Sequence, residues 1–380
     1  MNSRERVIMS LEGEQPDRIP FDLGSTLVTG MTRGAYSELA KDLGYSEGEP
    51  RLYDVVQQLP EMSEAILEDL GVDVRGLIPN MVRKNPQVER HDEYDLFTDE
   101  WGLVWKRPED GLYFDVVSNP LEGEITEEDI EEFPWPDPGD PELMEGLEEK
   151  AEYFRRDGRA IILESLCAGV FEMCCRMRST EQFCMDLVTN PSLAEALMDK
   201  FVEQKIAFYR IAAQQLTGSV QFIREGDDIG SQDSLLISPK VYRDLIKPRH
   251  ARLFEAQRSF FDDPFFVFFH SDGAIRDLIP DFIEIGVGVL NPVQTSAKGM
   301  DPFDLKEEFG DKIAFWGGGV DPSLLANGPV SDIQKQAREH IEALSPGGGY
   351  IFGGIHNVQD DVSPEHFTAM WEAYEEMREY

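Results

Sequence analysis

Basic residues are scarce in this chain: 35 Lys and Arg stand against 74 Asp and Glu in 380 residues, a formal charge of −39. Phosphate backbones and anionic membrane surfaces are gripped by basic stripes, so neither nucleic acid nor membrane is an expected partner. The acidic excess serves solubility and says little about fold. Cysteine is scarcer still: Cys167, Cys174, Cys175 and Cys184 fall in one stretch with no C-x-x-C pair. That argues against a secreted disulfide framework and a structural zinc site, and the four read as free thiols of a reducing cytoplasm. No window approaches the roughly 20 apolar residues of a membrane span. The opening MNSRERVIMSLEGEQPDRIP has no long apolar core, so no signal peptide is expected. The glycine triplets Gly317–Gly319 and Gly347–Gly349 lack G-x-G-x-x-G spacing and a lysine, which removes the P-loop and Rossmann readings.

What is there is apolar residue enough for a full core, 41% of the chain, arranged in short runs. Eight of them read as strands: IPFDL (19–23), VDVRGLI (72–78), AIILES (160–165), VQFIREG (220–226), FFVFFH (265–270), VGVLNPV (287–293), IAFWGGG (313–319) and GYIFGG (349–354). Amphipathic helical patterns separate them. Ser3 is the expected cap of the first helix, and Ser363 followed by Pro364 opens the last. Near-continuous apolar strands alternating with helices imply a parallel sheet covered on both faces. Eight such units predict a closed (β/α)₈ TIM barrel, with a doubly wound open sheet as the alternative. One domain spanning 1–380 is expected. The rhythm breaks over about 81–145, read as an insertion after strand 2: a β-hairpin turning near Glu109–Gly111, then an acidic, Pro-rich linker.

In such a barrel the reactive residues gather at the C-terminal ends of the strands. Those positions hold Asp22, Asn80, Glu164, Ser165, Glu225, Asp227, Asp228, His270, Asp272, Asn291, Gln294, Trp316, Asp321, His356 and Asn357. Two of the six histidines thus follow strand tips, beside many carboxylates. The other four, His91, His250, His340 and His366, sit in the insertion or in helices and read as packing or surface residues. A histidine that ends an all-apolar strand needs a partner or a role, which makes His270 the leading site candidate and His356 the next. His270 and Asp272, with one residue between them, point the same way from a strand tip and are able to grip one ion.

Long strings of the chain resemble the uroporphyrinogen decarboxylase superfamily, including its cobalamin-dependent methyltransferase branch. They are RERVIMSLEGEQPDRIPFDLGST, GDDIGSQDSLLISPKVYRDLIKPRHARLF, HSDGAIRDLIPDFIEIGVGVLNPVQTSAKGMDPFDLKEEFGDKIAFWGGGVD and PGGGYIFGGIHNVQDDVSPEHF. The resemblance implies a (β/α)₈ barrel. Porphyrinogen decarboxylases carry an arginine-rich M-R-Q-A-G-R segment after the first strand; here GSTLVTGMTRGAY offers only Arg33, displaced. The methyltransferase branch binds zinc through an H-x-C pair after strand 5 and a cysteine after strand 8. This chain has His270-x-Asp272 and His356, so both thiolates are replaced by harder ligands, which leave a metal more Lewis acidic and suit oxygen substrates.

The resemblance therefore implies a methyltransferase of the O-demethylase kind, moving a methyl group from a small methyl ether, expected to be aromatic, to the Co(I) of cobalamin carried by a separate corrinoid protein. Zinc on His270, Asp272 and His356 would polarise the ether oxygen, with Glu164, Glu225 or Asp227 as a fourth ligand. Glu225, Asp227 and Asp228 are the candidate catalytic residues, to hydrogen-bond substrate or protonate the leaving oxygen. Tyr36, Glu164, Phe269, Asn291 and Trp316 are the candidate substrate-binding residues. Three rivals stand beside this: transfer from a methyl-corrinoid to a thiol; a metal-free lyase using His356 and Asp73; and a non-catalytic binding protein. A homodimer is one assembly the sequence leaves open.

Overall fold

The computed structural model describes residues 1–46, 48–216 and 218–380. Its strands are β1 (Leu52–Asp54), β2 (Leu59–Pro60), β3 (Val74–Leu77), β4 (Glu89–Arg90), β5 (Tyr94–Thr98), β6 (Val104–Pro108), β7 (Asp115–Ser118), β8 (Ala160–Leu163), β9 (Phe222–Gly226), β10 (Phe266–His270), β11 (Val289–Asn291), β12 (Ala314–Trp316) and β13 (Tyr350–Ile351). Seven of these form one parallel sheet in the order β13-β12-β11-β10-β9-β8-β3, each beside its neighbour in the sequence of barrel strands. This is the curled sheet of a TIM barrel.

The expected first strand, 19–23, forms no regular strand; it makes one parallel bridge, Phe21 with Phe352. It still joins the two edges of the sheet. Asp22 N–H donates to Phe352 O at 2.9 Å, Phe352 N–H to Pro20 O at 2.9 Å, and Asp73 N–H to Phe21 O at 2.8 Å. Pro20 has no N–H to give to a ladder, and Gly24, at φ +81°, turns the chain away, so the pairing stops after a few bonds.

Side-chain alternation along the strands separates two cores. Val74, Ala160, Ile162, Phe222, Phe268, Val289, Ala314, Trp316 and Ile351 fill the barrel interior, with Val7 and Leu11 of the first helix below them. Their neighbours Ile161, Leu163, Ile223, Val267, Phe269, Leu290 and Phe315 face the helical layer. The first helix, Ser3–Leu11, is capped by Asn2 in a reciprocal box with Glu5. Ser3 was the expected cap, and instead its Oγ donates to Asp73 at 2.8 Å. The last helix, Pro364–Met377, does start behind Ser363, whose side chain accepts from His366 N–H.

Between β3 and β8 the chain leaves the barrel. β4 to β7 form a four-stranded antiparallel sheet in sequence order, larger than the hairpin expected from the sequence. Phe97 stacks on Trp105 and meets Phe114 edge-on, giving this sheet an aromatic core of its own. Among the described residues no helix is long and apolar enough to cross a membrane.

Candidate metal centre

His270 ends β10 and, by alternation with Phe268, points into the barrel mouth. Its Nδ1 lies 2.6 Å from Asn291 Oδ1, while Asn291 Nδ2 donates to Trp316 O at 2.9 Å. An amide anchored by its nitrogen presents its oxygen, so His270 Nδ1 carries the proton and Nε2 is the face left for other work. That Nε2 stands 3.7 Å from both Asp272 Oδ2 and Asp228 Oδ1. The His356 ring lies 5.7 Å from that of His270, centroid to centroid. One donor atom each from His270, Asp272 and His356 lies within 4.8 Å of the others. Two imidazoles and a carboxylate converging in this way fit a zinc-type ion.

The protonation pattern is uneven. Burial pushes the His356 imidazole down to about 4, with the Asp272 charge opposing, so it is neutral at pH 7, the form that ligates. Burial disfavours a charged His270, but the carboxylates of Asp272 and Asp228 outweigh it and raise its pKa. Burial likewise opposes the Asp272 carboxylate, yet His270 beside it holds it at about 2. Asp228 is pushed up to about 6, chiefly by burial and against the pull of His270.

The centre opens on a cavity of about 350 Å³. His270, His356, Arg224 and Asp228 line its barrel side, and Trp105, Tyr113, Phe114 and Val116 of the inserted sheet line the other. Glu172 and Arg176, which pair with each other, border it.

Several expected site residues lie elsewhere. Glu225 alternates outward from β9 and pairs with Lys205 Nζ at 2.8 Å, Tyr209 Oη at 2.7 Å and Gln257 Nε2 at 2.9 Å, inside the helical layer. Phe269 also faces outward, against Phe254, His250 and Phe282. Asp227 caps the helix Val170–Arg178, accepting from Phe171 N–H and Glu172 N–H at 2.8 and 2.7 Å, and meets His250 Nε2 at 2.9 Å. Tyr36 is core, its hydroxyl accepting from Ser63 N–H.

Trp316 fills the barrel interior, edge-on to Phe222 and Phe268, with its Nε1 donating to Asp22. Glu164 points inward but is fully buried, its two oxygens taken by Leu27 N–H and Ser165 N–H, both at 2.9 Å. Asn291 orients His270 rather than lining the cavity. Asp73, the acid of the lyase alternative, is locked at the opposite end of the barrel by Arg6 and Arg18.

Sequence reasoning passed over Arg224, Glu172, Arg176 and the inserted Trp105 and Tyr113. Arg224 had a signal: it stands two residues from inward Phe222 in a period-2 element. The inserted aromatics had none, because what they cover depends on where the sheet docks.

A methyltransferase from Methanosarcina mazei has a similar fold, with a TM-score of 0.64 at 16% identity over 99% of both chains. Uroporphyrinogen decarboxylases of Magnetococcus marinus and Sodalis glossinidius share 34% identity over 99 residues and 35% over 66. Those segments are 26% of both chains in the first case, and 17% of this chain and 18% of the relative in the second. The chain thus spans about a quarter, or less, of the length of the curated relatives it matches. The uroporphyrinogen decarboxylase (URO-D) family model matches residues 116–377, well over half of the sequence and nearly the whole barrel after the inserted sheet. The chain belongs to the URO-D family.

Proposed function

We propose that this chain is the methyltransferase component of an O-demethylase, taking the methyl group from a small, aryl-type methyl ether for a separate corrinoid protein. The observation that carries this reading is the convergence of His270, Asp272 and His356 on one side of a cavity roofed by Trp105, Tyr113 and Phe114. Nitrogen and carboxylate donors without thiolate favour an oxygen substrate over a thiol. His270, Asp272 and His356 would hold a zinc ion, which would supply Lewis acidity to the ether oxygen, and the partner's cobalamin would supply the nucleophile.

The chain's own groups do the rest. Asn291 fixes the His270 ring so that Nε2 faces Asp272. The inserted sheet contributes Trp105, Tyr113 and Phe114 to the cavity wall, an apolar surface for an aryl group. Asp228 sits beside His270, where its carboxyl group is in place to hydrogen-bond the substrate or the departing oxygen.

The purified protein is expected to hold about one zinc ion per chain, lost in His270→Ala. Mixed with a corrinoid protein reduced to Co(I) and a panel of aryl methyl ethers, it should change the cobalt absorbance. A metal-free protein that leaves the cobalt spectrum untouched across the panel would sink the reading. Turnover of a carboxylated compound with loss of carbon dioxide would put a lyase in its place.

A further inference from the structure

Among the described residues the buried arginines each make several hydrogen bonds, Arg75 included although its Nη2 has no partner, apart from Arg224. Arg6 donates to Asp17, Asp73 and Met1 O. Arg75 donates to Glu64 and two carbonyls. Arg178 donates to Asp186 and two carbonyls, and Arg249 to Asp199 and Leu245 O. Arg224, only 7% exposed, makes a single contact, from Nη1 to Glu164 Oε1 at 3.3 Å. Its Nε is buried with no partner. Glu164 meanwhile is satisfied by two backbone N–H groups, so it is held in place without Arg224.

A guanidinium has five donors in a planar fork, and burying it unpaired is costly. Arg224 lines the same cavity as His270 and His356. Space has been left for it there: a Cβ at Gly226 would lie 3.2 Å from Arg224 Nη2 and 2.9 Å from His270 Cβ. The other arginine of the cavity, Arg176, is engaged by Glu172 and lies over the Trp105 ring. Arg224 is therefore the cation of this cavity whose hydrogen-bonding capacity is least used.

We propose that Arg224 is a specificity-determining residue that receives a carboxylate of the substrate. This rests on the methyl-transfer reading and narrows it: the donor is a methyl ether that also carries a carboxylate, the ether oxygen toward His270 and His356 and the carboxylate on the Arg224 fork. A planar fork meeting two coplanar oxygens is the arrangement arginine forms better than lysine. The group fits a small anion and leaves no place for a polycarboxylate, since one arginine offers one fork.

Equilibrium binding by calorimetry, with no corrinoid present, separates this idea from the chemistry. Benzoate and 3- and 4-methoxybenzoate are expected to bind the wild-type protein, and benzamide and anisole much more weakly. Arg224→Gln should weaken the carboxylates about 10- to 100-fold, the range of a charge-assisted hydrogen-bonded contact, and leave the neutral compounds unchanged. Arg224→Lys, which keeps the charge without the fork, should fall between the two. Circular dichroism of each variant establishes that it is folded. Equal binding of benzoate and benzamide to the wild type, or equal weakening of both in folded Arg224→Gln, overturns the proposal. If the carboxylates bind as expected while no ether changes the cobalt spectrum, the site stands and the methyl-transfer reading fails. With turnover established, Arg224→Gln should raise KM for methoxybenzoates more than it lowers kcat. A fall in kcat that is the same for anisole would place Arg224 on the leaving oxygen instead and also overturn the proposal.

Discussion

His270 Nδ1 sits 2.6 Å from Asn291 Oδ1, and the same Asn291 amide is tied through its nitrogen to Trp316 O. Three consecutive barrel strands thereby fix one imidazole. Replacing Asn291 by Ala releases the ring without touching a proposed ligand. Zinc affinity, read by chelator competition, should drop about 10- to 100-fold, as for other supports of metal-bound histidines. Unchanged affinity in Asn291→Ala would remove Asn291 from the site.

Gly226 lies where a side chain has no room. A Cβ there would come within 2.9 Å of both His270 Cβ and His270 O. Gly226→Ala is expected to shift His270 and to weaken zinc and benzoate binding together, by about tenfold or more, since 1.4 kcal/mol of strain is enough for that. Parallel calorimetric titrations with the two probes test whether both affinities fall.

Lys205 and Glu225 form a fully buried ion pair at 2.8 Å, remote from the cavity. Removing one partner strands the other charge. Lys205→Met should cost about 3–5 kcal/mol in denaturant unfolding, and a Lys205→Met, Glu225→Leu double variant should recover much of that loss. A double variant as unstable as the single one would mean that the pair contributes more than mutual compensation.

Lys306 sits half-buried at the base of the barrel, where its Nζ donates to Gly348 O at 2.5 Å. Burial pushes its pKa from 10.5 down to about 8. A folded value below the unfolded one means that the unfolded chain binds more protons between those pH values, so this group's contribution to stability rises with pH from about 8 to 10.5 and is unfavourable below. Lys306→Met should stabilise the protein at pH 7, by about 1 kcal/mol after allowing for solvent screening. The advantage should disappear by pH 10.5. Thermal melts of both proteins at the two pH values decide it; a constant difference would exclude the titration.

Much of the candidate site was legible because its proposed metal ligands sit at or just past strand ends. The apolar run 265–269 and the histidine after it located β10, and the tips at 270, 272 and 356 converge as a barrel requires. Two of the misplacements share a cause. Glu225 and Phe269 were taken from the tips of the right strands without following the period of two, which turns both to the helical layer and turns Arg224 inward. Asp227 looked like an acid and serves as a helix cap, a role that depends on which helix start packs beside it.

The sequence by itself determined the alternation of strand and helix, the positions of seven barrel strands and the donor residues at their ends, because these follow from local apolar pattern and chain order. Only the tertiary structure decided how the ring closes through a segment that is barely a strand, which side chain faces the cavity, and that the inserted sheet folds over it. Those depend on contacts between residues far apart in the chain, and no local pattern encodes the partner across the gap.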